Sequence, residues 1–178
     1  MAVLIDSTIS WHKAIVDSIE ANEFRSGVAP AEMQAFLEAC GELGVEHIIE
    51  SGRGQFGYST CVLGELAKRT GIRVTSIDWH DSMWKKVPEC VEPYRKWVEI
   101  LVGDSRHILP QLADSWDKPC ALLIDGPKGD VATDLILKCV NRSPQLRLVG
   151  QHGTSDSFVA AFPWMQQEGH LVMARLDR

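Results

Sequence analysis

The segment from Glu50 to Thr60, with the sequence ESGRGQFGYST, combines three glycines with an acid and several hydroxyls. Its glycines form the pattern Gly52-x-Gly54-x-x-Gly57, which is typical of nucleotide-binding turns. Glycine permits the positive φ angles of a tight turn and lets backbone N–H groups approach a ligand at the start of a helix. An apolar run precedes the segment and a helical composition follows it. The segment therefore predicts a nucleotide site between a strand and a helix.

Acidic residues follow three further apolar runs, as Asp78, Asp104 and Asp125, and His152 follows a fourth. In open α/β sheets, ligands bind outside the carboxyl ends of the strands, so these side chains are expected near the glycine-rich turn. Asp78 comes about 20 residues after Gly57, where an acid can accept hydrogen bonds from both ribose hydroxyls of an adenosine.

The elements that must position these residues alternate between strands and helices. Short apolar runs predict strands over 45–49, 72–77, 98–102, 120–124 and 146–149. Helical segments are predicted over 60–69, 105–113 and 131–140, with a last helix over 157–167 and a short strand over 171–174. This alternation predicts βαβ units, and hence a three-layer αβα sandwich with a Rossmann-like, mainly parallel sheet.

Two helices are predicted before the first strand. Apolar residues at Trp11, Ile15, Val16 and Ile19 lie on one helical face, and a second helix begins at Pro30. We expect residues 1–178 to form one domain, with N-terminal helices in 1–44 and the nucleotide-binding α/β core in 45–178.

The composition excludes several classes of protein. The 178 residues are 45% hydrophobic and 24% charged, as in soluble globular domains, and no apolar run is long enough for a membrane span. With a net charge of −6, the chain lacks the broad basic surface expected of a nucleic-acid binder. The five cysteines form no C-x-x-C pair, and the first residues do not resemble a signal peptide, so we expect a reducing, cytoplasmic location.

Several motifs together resemble those of one enzyme family. The pattern Glu50-x-Gly52-x-Gly54 resembles the first motif of class I S-adenosylmethionine-dependent methyltransferases. Further segments, in the family's order, resemble its small-molecule and sugar O-methyltransferase subgroup and relatives of the cephalosporin-hydroxylase type. These segments are Ser59-Thr60, Asp78, Gly103-Asp104-Ser105 followed by Leu109-Pro110, and Leu123-Ile124-Asp125-Gly126. The resemblance extends over about residues 45 to 152 and implies the class I methyltransferase fold, with S-adenosylmethionine as cofactor.

The resemblance also implies roles for single residues. Glu50 would orient the glycine-rich turn or contact the methionine part of the cofactor, and Gly52 and Gly54, with Gly57 in the same turn, would lie beneath it. The implied contacts to the nucleoside are Asp78 with the ribose, Trp79 beside the adenine, and Asp104 with Ser105 at the adenine amino group. Asp125 would face the methyl group or the acceptor.

The implied reaction moves a methyl group to an oxygen, or less favourably a nitrogen, of a small-molecule or sugar acceptor. Asp125 or His152 is the candidate base for the acceptor proton. We expect no metal ion, because no second carboxylate matches a site beside Asp125 and His152. Lys128 is interpreted as a solvated turn lysine, and the sequence leaves open whether the chain forms a homo-oligomer.

Two alternatives remain open at this stage. The subgroup's histidine is absent after the fourth strand, Gln151-His152 replaces its His-Asp pair, and little chain remains for the fold's final β-hairpin. These departures would suit a non-catalytic methyltransferase-fold module that serves binding or assembly. The glycine pattern followed by an acid also matches NAD-dependent oxidoreductases, although these usually carry an apolar residue where Glu50 stands.

Overall fold

A computed structural model describes residues 27–54, 57–79 and 91–177. The predicted first helix around Trp11–Ile19 and most of the segment 80–97 before the third strand lie outside these ranges. The helices are α1 (Pro30–Glu42), α2 (Tyr58–Thr70), α3 (Ser105–Ala113), α4 (Gly129–Arg142) and α5 (Asp156–Ala161), with a 3₁₀ turn at Glu92–Tyr94. The strands are β1 (His47–Ser51), β2 (Arg73–Asp78), β3 (Val98–Val102), β4 (Cys120–Ile124), β5 (Leu146–His152), β6 (Gln166–Glu168) and β7 (Leu171–Arg175).

The seven strands form one sheet in the order β3-β2-β1-β4-β5-β7-β6. Strands β1 to β5 are mutually parallel, and β7 pairs antiparallel with both β5 and β6. This arrangement confirms the predicted Rossmann-like, mainly parallel sheet. From β1 to β3 each new strand is added on one side of β1, and from β4 onward the strands are added on its other side. The carboxyl ends of β1 and β4 therefore form a topological switch point.

Helices cover both faces of the sheet because successive strand residues point to opposite sides. In β1, Ile48 packs into the core under α1 and α2, and Ile49 packs into the core under α3 and α4; both are fully buried. In α1, Phe36 is completely buried and anchors the helix against the sheet. The core therefore fixes α1 relative to the carboxyl ends of the strands.

The end of the chain differs from the prediction. The last helix stops at Ala161 instead of continuing to residue 167, because Phe162 precedes Pro163 and a residue before proline is disfavoured in the helical conformation. After it, β6 and β7 form an antiparallel hairpin that turns at Gly169, whose φ is +56°. The expectation that the chain leaves little room for this hairpin was therefore wrong.

Strands β1 and β5 end beyond the apolar runs that predicted them. The first continues to Ser51 and the fifth to His152, because both residues pair within the sheet, Ser51 beside Ile77 and His152 beside Leu171. The polar residues predicted to follow these strands thus lie on the strands themselves.

No helix in the described ranges is long and apolar enough to cross a membrane. The four cysteines in these ranges, Cys40, Cys61, Cys120 and Cys139, are buried. Burial raises the pKa of the Cys139 thiol to about 12, which disfavours the reactive thiolate.

His47 makes the stability of the fold depend on pH. The imidazole is buried at the start of β1 and shares a hydrogen bond of 2.9 Å with Thr75 Oγ1. Desolvation, reinforced by the charge of Arg73, lowers the pKa of His47 from 6.5 to about 4. The folded state therefore binds fewer protons than the unfolded state between these values. The contribution of His47 to the free energy of unfolding is therefore fully present above pH 6.5. It falls by on the order of 3 kcal/mol as the pH drops to about 4.

His47→Gln should reduce this acid sensitivity. Urea unfolding at pH 7.5 and pH 4.5 compares the variant with the wild type. An unchanged pH dependence in His47→Gln would show that His47 does not contribute as described.

Candidate active site

The carboxyl ends of β1 and β4 are tied together by backbone contacts. The carbonyl oxygen of Ser51 accepts hydrogen bonds from the N–H groups of Asp125 at 2.8 Å and Gly126 at 3.1 Å. The hydroxyl of Ser51 donates to the carbonyl oxygen of Gly126 at 2.5 Å. A Cβ atom on Gly52, whose φ is +92°, would overlap the backbone nitrogen of Gly126. The first glycine of the turn is thus required by the close approach of two backbones.

A cavity of about 320 Å³ opens at this junction. Residues from the carboxyl ends of β1 to β4 line it, as expected for an open α/β sheet. They are Ser51, Gly52, Gly54, Asp78, Trp79, Asp104, Ser105, Arg106, Asp125, Gly126 and Pro127. The structure thus brings seven of the ten predicted site residues to one cavity: Gly52, Gly54, Asp78, Trp79, Asp104, Ser105 and Asp125.

Asp78 connects β2 to the glycine-rich turn. Its Oδ2 accepts a hydrogen bond of 2.9 Å from the N–H of Gly54, and its carbonyl oxygen accepts one of 2.9 Å from the N–H of Gly103. Asp78 therefore holds a carboxylate at the cavity wall, between the turn after β1 and the turn after β3.

Asp104 and Trp79 share one partner, Arg106. Asp104 caps α3 by accepting a 2.9 Å hydrogen bond from the N–H of Arg106, and its Oδ2 accepts another of 2.7 Å from Arg106 Nη2. The hydrogen bonds from the Arg106 side chain lower the pKa of Asp104. The guanidinium of Arg106 also lies 4.7 Å from the ring centre of Trp79, which is 56% exposed. Arg106 was not among the predicted site residues.

Glu50 lies behind the glycine-rich turn and does not line the cavity. It is fully buried, and its Oε2 accepts hydrogen bonds from Thr60 at 2.5 Å and Ser76 at 2.6 Å. Burial raises the pKa of Glu50, although the hydroxyl hydrogen bonds oppose the shift. These contacts tie β1 to α2 and β2, which are the elements on either side of the turn. Gly57, with φ of +61°, precedes α2 and also lies outside the cavity lining.

Asp125 belongs to a cluster of four polar side chains at the ends of β4 and β5. We call Glu32, Asp125, Lys128 and His152 the β4–β5 cluster. His152 Nδ1 lies 2.7 Å from Asp125 Oδ1 and 3.0 Å from Lys128 Nζ, and Lys128 also contacts the Asp125 carboxylate. His152 Nε2 lies 3.4 Å from Oε2 of Glu32. Lys128 is thus more than the solvated turn lysine that the sequence suggested, because its ammonium joins the two predicted catalytic residues.

Glu32 was not among the residues predicted from the sequence. An acid in the first turn of a helix usually serves as a helix-capping residue, and Glu32 does accept a 2.6 Å hydrogen bond from the N–H of Ala29. Its contact with His152 joins residues far apart in the chain, so no local spacing could have revealed it. Within the described residues, no group of three His, Cys, Asp or Glu side chains is arranged to hold a metal ion.

The sheet order, the glycine-rich turn and the acid at the end of β2 define an α/β protein with a nucleotide-type cavity at its switch point. Residues 50–143, which are more than half of the chain, match the model of a family described as a methyltransferase domain. The chain belongs to this methyltransferase family, which confirms the resemblance and argues against the oxidoreductase alternative. A comparison with the sequences of curated proteins found no match.

Solved structures of methyltransferases share the fold. One is an O-methyltransferase from Bacillus cereus in complex with SAH, with a TM-score of 0.62 and 18% identity, over 98% of this chain and 94% of that one. Another is a TDP-rhamnose 3′-O-methyltransferase of calicheamicin biosynthesis, with a TM-score of 0.61 and 13% identity, over 82% and 78% of the two chains. A third, TomG from Streptomyces achromogenes in complex with SAM, has a TM-score of 0.52 and 20% identity, over 85% and 67%.

Gly52→Ala should destabilise the protein strongly, because the new Cβ would both strain a positive φ and overlap Gly126. We expect a loss of about 3 kcal/mol or more in the free energy of unfolding. Gly54→Ala is the matched control, since its φ is +67° but a Cβ there meets nothing within 4 Å. That variant should lose only about 1 kcal/mol. Equal losses in urea unfolding would contradict the close approach of the β1 and β4 turns.

Proposed function

We propose that this methyltransferase binds S-adenosylmethionine in the cavity and methylates an oxygen atom of a small-molecule or sugar acceptor. The observation that carries the proposal is the pairing of Asp78 with the glycine-rich turn, which sets a carboxylate and closely approachable backbone side by side at the switch point. The names of the matched structures support the choice of oxygen and of the acceptor class, since they are O-methyltransferases and one acts on a TDP-sugar.

The residues that line the cavity fit this cofactor. A carboxylate such as that of Asp78 can accept hydrogen bonds from ribose hydroxyls, and Trp79 offers an aromatic face for an adenine. Gly52 and Gly54 present backbone without side chains. A volume of about 320 Å³ lies within the usual range of small-molecule sites. When bound, S-adenosylmethionine supplies an electrophilic methyl group on its sulfonium.

The β4–β5 cluster would accept the proton of the acceptor hydroxyl. Asp125 lines the cavity, so an acceptor hydroxyl beside the cofactor would contact its carboxylate first. His152 lies behind Asp125, with Nδ1 2.7 Å from Asp125 Oδ1, and histidine is the side chain that most often serves as a general base. We assign His152 Nδ1 as the final proton acceptor, with Asp125 stabilising the imidazolium that forms. Lys128 would hold both side chains in place and stabilise negative charge that develops on the acceptor oxygen.

Calorimetric titration tests the cofactor site. S-adenosylmethionine and S-adenosylhomocysteine should bind the wild type, and Asp78→Ala should weaken both at least about tenfold, or 1.4 kcal/mol, through the loss of the ribose contact. Asp134→Ala is the matched control, because this exposed acid on α4 lies outside the cavity and pairs with Lys138. Failure of both sulfur nucleosides to bind the folded wild type would refute the proposal. Binding of NADH instead would restore the oxidoreductase alternative.

Turnover tests the role of His152. The wild type should convert S-adenosylmethionine to S-adenosylhomocysteine with some member of a panel of phenolic, aliphatic and sugar alcohols. His152→Gln should lower kcat with that acceptor about 100-fold or more, as expected for the loss of a general base. Its affinity for S-adenosylhomocysteine should remain unchanged, because His152 does not line the cavity. Full activity of the variant would exclude His152 as the base. Cofactor binding without turnover over the whole panel would favour a non-catalytic module.

A further inference from the structure

We propose that Glu32 is a positioning residue that keeps the proton of neutral His152 on Nε2, and so leaves Nδ1 able to receive the proton of the acceptor. This inference rests on the proposed function, because it concerns the base of that reaction. Its evidence is the arrangement of charged groups around the two ring nitrogens.

The Glu32 carboxylate is buried, and backbone hydrogen bonds hold it in place. The residue is 2% exposed, near the start of α1. Its Oε2 accepts a hydrogen bond of 2.6 Å from the N–H of Ala29, and its Oε1 accepts one of 2.5 Å from the N–H of His170. Each carboxylate oxygen is therefore fixed by a backbone donor from a different part of the chain. A buried carboxylate held in this way exerts a stronger field on its neighbours than an exposed one.

The two nitrogens of His152 face different groups. Nε2 lies 3.4 Å from Oε2 of Glu32, while Nδ1 lies 2.7 Å from Asp125 Oδ1 and 3.0 Å from Lys128 Nζ. The ring of His170 also contacts that of His152 edge to face, with the ring centres 6.1 Å apart. These four residues, Glu32, Asp125, Lys128 and His170, are the titratable groups that the described structure places against the imidazole.

A neutral imidazole has one proton, and the two tautomers suit these neighbours unequally. With the proton on Nε2, the N–H lies on the Glu32 side of the ring, and the lone pair of Nδ1 accepts a hydrogen bond from the Lys128 ammonium. The same ammonium contacts the Asp125 carboxylate and so offsets the repulsion between that carboxylate and the Nδ1 lone pair, which lie 2.7 Å apart. With the proton on Nδ1, the lone pair of Nε2 would face a buried carboxylate that offers no donor, which costs free energy. Without Glu32, Asp125 would attract the proton to Nδ1. Glu32 therefore selects the tautomer in which Nδ1 is the base.

The proton transfer that follows is balanced. The O–H bond of the acceptor breaks and its electron pair stays on the oxygen. The proton passes by way of the Asp125 carboxylate, which lines the cavity, and a new N–H bond forms at Nδ1. The resulting imidazolium donates towards Asp125 from Nδ1 and faces Glu32 with Nε2. Glu32 thus sets the ground-state tautomer and also stabilises the charged product.

Nuclear magnetic resonance of the intact protein tests the inference without an acceptor. Ring ¹⁵N chemical shifts distinguish a protonated from an unprotonated nitrogen, and His152→Gln identifies the signals of His152. In the wild type, at a pH where the ring is neutral, we expect the proton on Nε2. In Glu32→Gln we expect the population to shift towards the proton on Nδ1. A wild-type ring with its proton on Nδ1 would overturn the inference, and so would a folded Glu32→Gln with an unchanged tautomer.

Kinetics provide the second measurement. Glu32→Gln should lower kcat about tenfold or more, with little change in KM for S-adenosylmethionine, because Glu32 does not line the cavity. Glu38→Gln, an exposed position on the same helix, is the matched control and should behave as the wild type. If Glu32→Gln fails to fold, Glu32→Asp replaces it, because aspartate retains the charge on a shorter side chain. Glu32→Asp should show a weaker shift of the tautomer population in the same direction. The tautomer of the wild type tests the inference in either case. If the wild type does not bind the cofactor, that result would refute the proposed function and leave the conclusion about the tautomer of His152 unaffected.

Discussion

The close approach of β1 and β4 at Ser51, Gly52 and Gly126 is the constraint on which the site depends. It requires a residue without a side chain at position 52, because a Cβ would overlap the facing backbone. It also ends the pairing of the two strands, since the Ser51 carbonyl binds two successive N–H groups of the turn after β4. Beyond this junction the segments that follow β1 and β4 separate to opposite faces of the sheet, and the cavity opens between them.

The features that could be predicted from the sequence are those carried by local patterns. Apolar residues located β3 at Val98–Val102 and β4 at Cys120–Ile124 with their observed bounds. The run of β4 is continuous because that strand is buried along its whole length, whereas β3 carries Glu99 and is only partly buried. The glycine-rich turn and the acid at the end of β2 were recognisable because their chemistry requires particular residues at particular spacings. The ordered motifs led to the methyltransferase family, which the match over residues 50–143 confirms.

The features that the sequence did not reveal depend on contacts between distant residues. Glu32 reads as a capping acid, and only the packing of α1 on the sheet brings it to His152. Lys128 reads as an exposed turn residue until β5 places His152 beside it. The strand β6 has three exposed residues, without the alternation that marks a strand, and it forms because β7 offers a pairing edge. In each case tertiary structure decides the role, and local propensity carries little information.

The proposed cofactor site is the cavity between the glycine-rich turn and the ends of β2 to β4. A crystal structure with S-adenosylhomocysteine tests it most directly. We predict the ribose hydroxyls at the carboxylate of Asp78, the adenine beside Trp79 near the start of α3, and the sulfur directed towards Asp125. A ligand bound elsewhere, or bound in this cavity with its sulfur far from Asp125 and the β4–β5 cluster, would contradict the account.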